Sequence, residues 1–338
     1  MIKKNLIFGL CIILMATFFL SCSDDITTPK TFEERVVVAN RLGASISFID
    51  ANSNQVVSTL SITGAEPMYV VYVPSKDKLF VGDRAQNRVH IVNPQTKVVE
   101  SSITVGSGVF HMWADGMGKQ LWVNNDIDNT ASVIDLNTNT VIQTINFGIK
   151  PHDIFLTKDA TKAYISVINS DVTMPDKIFL YSASTFTKIT EINVGKDPHL
   201  FHLSNSNKLF VPCQSGQLYS LNGDNLTELS NISLTGAHGI FPAPDQNNIF
   251  VTNITGGQLY SINTINNTQN GTALSSQVST PHNIVVNEAG NKMFVTNSGM
   301  TANTLSTYSL SSATITAETT VTIGTNPFGL AYYKREVK

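Results

Sequence analysis

Charge is scarce in this sequence. Of its 338 residues, 22 are Lys or Arg and 25 are Asp or Glu, 14% in all, for a net charge of −3. No basic stripe stands out, so nucleic acid is not an expected partner. Cysteine is scarcer still, at three residues. Cys11 lies in an N-terminal apolar run and Cys22 at its end, which leaves Cys213 as the one thiol of the folded part and excludes an intrachain disulfide there. The longest apolar run, residues 6–20, has 15 residues, too few to span a bilayer comfortably as a helix. Gly-x-Ser-x-Gly and phosphate-binding glycine loops are missing too, which leaves triad hydrolysis and nucleotide chemistry without support.

What is present in quantity is Asn, Thr, Ser, Val and Ile. With 42% hydrophobic residues the chain can build a large core, and this mixture is that of strands and turns. Residues 1–22 read as a secretory signal, with Lys3 and Lys4 before the apolar run. Phe19-Leu20-Ser21-Cys22 resembles a bacterial lipobox, which implies lipidation at Cys22. Ser23-Asp24-Asp25 resembles the export tag of Bacteroidetes surface lipoproteins. The resemblance implies an outer-membrane lipoprotein exposed at the cell surface, with a periplasm-facing one as the alternative. Acyl chains would hold it there, each buried methylene contributing about 0.8 kcal/mol. Without the two lysines the charge becomes 20 − 25 = −5. Residues 23–34 read as a polar tether.

From there a repeat takes over. Segments like Gly148-Ile149-Lys150-Pro151-His152-Asp153-Ile154-Phe155 recur, centred on Met68, His111, His152, His199, His238, His282 and Phe328, with gaps of 43, 41, 47, 39, 44 and 46 residues. Such a period predicts an array of small β-units. In one copy, strands are expected around Phe110, Trp122, Val133 and Ile142, four per unit, as in a propeller blade. Asp50-Ala51-Asn52-Ser53, Asn93-Pro94-Gln95-Thr96 and Asp135-Leu136-Asn137-Thr138 mark the turn between the third and fourth strands. The N-terminus supplies three strands without a first, and the C-terminus a first without the others. Together they predict a closed, all-β, seven-bladed propeller over residues 35–334.

Leu79-Phe80-Val81-Gly82-Asp83, Leu121-Trp122-Val123-Asn124-Asn125, Ile249-Phe250-Val251-Thr252-Asn253 and Met293-Phe294-Val295-Thr296-Asn297 resemble the second strands of the YVTN-type propeller family, also called YncE-like or surface-layer-like. The resemblance covers about residues 35–333 and implies the fold, since propellers carry many activities.

Five of the seven copies place histidine at the start of the innermost strand, so His111, His152, His199, His238 and His282 are expected to ring the channel mouth. Imidazoles suit zinc, copper, iron and nickel. Cys213 and a polar set at the ends of the second strands, Asp83, Asn125, Asn253 and Asn297, are expected on the same face, with Met68, Trp113 and Phe328 as an apolar rim. Asp153 is a candidate partner of the histidines, although strand alternation would turn it to the opposite face. His90 reads as a sheet-surface residue, and His202 is expected to face the neighbouring blade. Pro151-His152-Asp153 also resembles a motif of the nitrous oxide reductase propeller, whose separate copper domain and paired adjacent histidines have no counterpart here.

Three functions follow from these residues. The first is a surface binding module for a metal ion, copper or zinc, or for a metal-bearing ring such as a corrinoid or haem. The second is a metalloenzyme. The third is a protein-interaction or surface-layer scaffold with structural histidines, as in WD-type propellers. Anchor, tag and propeller class together resemble Bacteroidetes lipoproteins that capture vitamin B12, which implies a TonB-dependent transporter or another surface protein as partner.

Overall fold

Residues such as Leu79-Phe80-Val81 form strands that are buried on both faces, because each lies within a sheet packed between two others. The computed structural model describes residues 30–337, and the readings of a signal, a lipidated Cys22 and a tether up to residue 29 lie outside them. The described strands form seven antiparallel sheets arranged as the blades of one propeller. The blades are numbered here by their innermost strands: Pro67–Val73 (blade 1), Val109–Ala114 (2), Lys150–Leu156 (3), His202–Leu203 (4), Ala237–Pro242 (5), Pro281–Val286 (6) and Pro327–Glu336 (7).

Blade 7 closes the ring as the two chain ends require. The C-terminal strand Pro327–Glu336 lies innermost and pairs with Phe32–Asn40, followed by Ser45–Asp50 and Val56–Ser61. The first strand thus starts within the stretch read as a tether. Charge reinforces the seam: Arg335, 4% exposed, places Nε and Nη2 each 2.9 Å from Asp77 and Nη1 2.9 Å from Glu33.

Bulk at the blade interfaces follows the sequence pattern. Phe80, Trp122, Tyr164, Phe210, Phe250 and Phe294 occupy the middle of the second strand in blades 1 to 6, all nearly or fully buried. Blade 7 has Val37 there, and the missing volume comes from Phe48, directly opposite on the next strand. Outer strands such as Val98–Thr104 are largely exposed and rich in Ser, Thr and Val. Every turn between the third and fourth strands contains a residue with left-handed backbone: Asn54, Lys97, Asn139, Phe186, Leu226, Asn267 and Ser312, with φ from 54° to 60°. Three of the seven are Asn, which tolerates that region best after glycine.

Candidate metal centre

Each innermost strand opens with one extra residue. Pro151 lies opposite Val167 and Ile154 opposite Ile165, three steps on the inner strand against two on its partner. The same excess occurs between Pro67 and Val70, Val109 and Met112, Ala237 and Ile240, Pro281 and Ile284, and in the pairing of Pro327 and Leu330 with Asn40 and Val38. In blade 4 the bridge Pro198–Cys213 and the pair His202–Phe210 give the same count. A bulge of this kind suspends strict alternation, so two successive residues need not face opposite ways.

Aligned on these bulges, two positions per blade surround the channel. The first holds Met68, Phe110, His152, His199, His238, His282 and Phe328. The second holds Tyr69, His111, Asp153, Leu200, Gly239, Asn283 and Gly329. Four histidines therefore share one position rather than five, and His111 is the counterpart of Asp153. The repeat count in blade 2 is off by one because Phe-His follows the bulge-opening Val109 where Pro-His is usual. Alignment on the residue before the bulge and the aliphatic residue three later would have found Phe110.

The first positions form a closed circle of rings. Centroid distances are 4.7 Å from Phe110 to His152, 4.4 Å to His199, 3.6 Å to His238, 4.5 Å to His282, 4.3 Å to Phe328 and 5.9 Å back to Phe110. All four histidines are under 8% exposed. The mouth is filled by side chains in mutual contact, so it suits an ion better than a macrocycle. Met68 is buried at its place in blade 1, while Tyr69 packs edge-on against Phe328 and His111.

At the second position Asp153 is fully buried and faces the histidines, contrary to the alternation argument, because the bulge turns it inward. Its Oδ2 lies 3.2 Å from His152 Nδ1 and 3.4 Å from His199 Nδ1, and accepts the Leu200 N–H at 3.2 Å. Among the described residues, His152, Asp153 and His199 are the one set of three or more His, Cys, Asp or Glu side chains whose ligating atoms converge. Bonds of about 2.0–2.2 Å to a tetrahedral zinc ion set ligand edges of roughly 3.3–3.5 Å, close to these separations. Asp153 Oδ1 is buried without a hydrogen-bond donor, a burden of at least about 1–3 kcal/mol for a polar atom left unsatisfied.

Electrostatics divide the imidazoles. Burial works to lower His199, but hydrogen bonding to Asp153 and Asp197 outweighs it and raises the pKa to about 9. Burial drives His111 down to about 4, His282 to about 3 and His238 well below its ordinary value, with His199 adding to the last two. Burial would raise Asp153, yet electrostatic attraction from His152 and hydrogen bonds from His152 and His199 hold it well below the usual carboxylate range. The centre thus offers the carboxylate of Asp153, the imidazolium of His199 and the neutral rings of His111, His238 and His282. His238 Nδ1 is buried and unpartnered.

The other candidates lie elsewhere. Asp83 accepts backbone N–H groups of Glu66, Ala85 and Gln86 and faces His90 Nε2 at 3.0 Å. The Asn125 amide lies 2.9 Å from Ser132 Oγ, while Asn253 donates to Tyr260 Oη and Asn297 to Ser306 Oγ. These polar ends lock their own hairpins. His90 belongs to that system: it is buried between Asp83 and Ser102 rather than spread on a sheet surface. Cys213 sits in an apolar cluster with Val211 and Leu221, and burial pushes its thiol up. Trp113 packs between His111 and Phe155. His202 is buried against Phe210 of its own blade and also hydrogen-bonds Gln246 of blade 5, the neighbour it was expected to face.

Fold and centre together define a seven-bladed β-propeller with a histidine–aspartate cluster at its axis. No protein-family model matches the sequence, and neither does any curated protein. Solved structures do match in fold. A periplasmic gluconolactonase of Pseudomonas aeruginosa is 14% identical, with a TM-score of 0.73 over 89% of this chain and 99% of that one. A putative 6-phosphogluconolactonase of Bacteroides fragilis is 11% identical, with a TM-score of 0.71 over 89% and 98%. Hydrazine synthase of Kuenenia stuttgartiensis is 15% identical, with a TM-score of 0.66 over 78% and 88%.

Proposed function

We propose that this propeller is a binding module for a transition-metal ion, held by His152, Asp153 and His199. The observation that carries the reading is the pair of Nδ1 atoms at 3.2 and 3.4 Å from one buried carboxylate oxygen. Two imidazoles and a carboxylate are a donor set for zinc, iron or copper. Binding would release the proton that His199 holds, so the ion competes with it. The lactonase and synthase names belong to proteins that share the fold, and neither activity is assigned here.

Elemental mass spectrometry on the untagged full chain, purified without chelator, tests the reading. Near-stoichiometric zinc, copper or iron that vanishes in Asp153→Asn and in His152→Ala/His199→Ala supports it. A wild-type protein free of metal that also fails to take up added cobalt(II) refutes it. The raised pKa of His199 favours a second reading, an Asp153–His199 ion pair that locks blades 3 and 4, with no metal. That reading predicts lower stability in Asp153→Asn and no change in metal content.

The lipobox-like and tag-like residues support placing the module on the outer membrane, facing the exterior, where it would pass its cargo to a transporter. Metabolic labelling with radioactive palmitate, lost in Cys22→Ser, tests the anchor.

A further inference from the structure

His111 stands apart from the row of histidines, and its hydrogen bonding fixes what it can do. The backbone N–H of Ile154 donates to His111 Nδ1 at 3.0 Å. A backbone amide can only donate, so Nδ1 must carry a lone pair and the ring proton must sit on Nε2. That lone-pair nitrogen lies 3.6 Å from Asp153 Oδ1, the buried oxygen without a donor. An imidazole facing a carboxylate usually gives it a proton, and this one is prevented from doing so by the strand it packs against. Tyr69, edge-on at 4.3 Å between ring centroids, closes one side of the ring.

We propose that His111 is a positioning residue for the metal centre, which by withholding a donor from Asp153 Oδ1 keeps the carboxylate's full charge available to the cation. The inference rests on the reading of His152, Asp153 and His199 as ligands. A group one step behind a ligand commonly alters metal affinity about 10–100-fold. Here the device works by denial of a hydrogen bond instead of by supplying one.

Two variants of the full chain separate this role from a structural one, with cobalt(II) as probe and its visible spectrum as readout. His111→Asn places an amide N–H within reach of Oδ1, and cobalt affinity is expected to fall about tenfold, with a spectral shift. His111→Phe takes the acceptor from Ile154 but offers Asp153 no donor. Its melting temperature is expected to fall while cobalt affinity stays within about threefold. Unchanged affinity in His111→Asn, or equal losses in both variants, would overturn the proposal and leave the metal site standing. A wild-type protein that shows no cobalt spectrum defeats the underlying reading and this one with it.

Discussion

Single buried histidines set how this protein should respond to pH. His202, away from the histidine–aspartate cluster, is held down to about 4 by burial. Below its ordinary pKa of about 6.5 the unfolded chain takes up a proton that the fold refuses. Its contribution is therefore complete above pH 6.5 and lost as pH falls toward 4, and His282 and His111 act in the same direction. His199, raised to about 9, has the opposite sign: its contribution is complete below pH 6.5 and lost as pH rises through 9. Melting temperature in metal-free buffer should thus peak near pH 6.5. Calorimetry from pH 4 to 10 checks this, with Asp153→Asn expected to flatten the alkaline limb and His202→Gln to soften the acid one.

At the scale of the strand, the bulge governs the centre, and two glycines make room for it. A Cβ on Gly239 would lie 2.1 Å from the His282 carbonyl oxygen, and one on Gly329 would lie 2.7 Å from the Met68 carbonyl oxygen and 2.6 Å from Tyr69 Cδ1. Backbone atoms cannot swing aside, so Gly239→Ala should cost about 3 kcal/mol in a urea titration, at the upper end for overpacking. It should also spread blades 5 and 6. The strands themselves were legible, because segments such as Leu79-Phe80-Val81 and Ile249-Phe250-Val251 are apolar on both faces and end in polar turns. The closure of blade 7 was legible from unmatched strands at the two ends. What periodicity could not reveal was the extra residue after Pro151 or Val109. A one-residue change is invisible in a repeat whose spacing already varies by eight, yet it decides that Asp153 turns inward and that Phe110 replaces His111. Polar strand ends such as Asn125 and Asn297 were misleading for a related reason: their partners, Ser132 and Ser306, lie across the hairpin and consume them.

For the molecule as a whole, stability depends on a ring with one noncovalent seam. Arg335 joins the last strand to the first through Glu33 and to blade 1 through Asp77, which is partly exposed. Replacing it by Met leaves Glu33 to Arg35 alone and removes the guanidinium from Asp77, so a loss of about 2 kcal/mol is expected, below the value for a fully buried pair. Guanidinium unfolding should show that loss as one shifted transition, because opening the seam frees the edges of Phe32–Asn40 and Pro327–Glu336 together. The molecule also contains its own reporter of the centre. The chain has two tryptophans, both in blade 2. Trp122 is sealed in the core, whereas Trp113 stacks on His111, the neighbour of Asp153. Emission from Trp113 should be quenched by a paramagnetic ion at the axis more strongly than that from Trp122, so light from a single ring can follow the site filling and emptying.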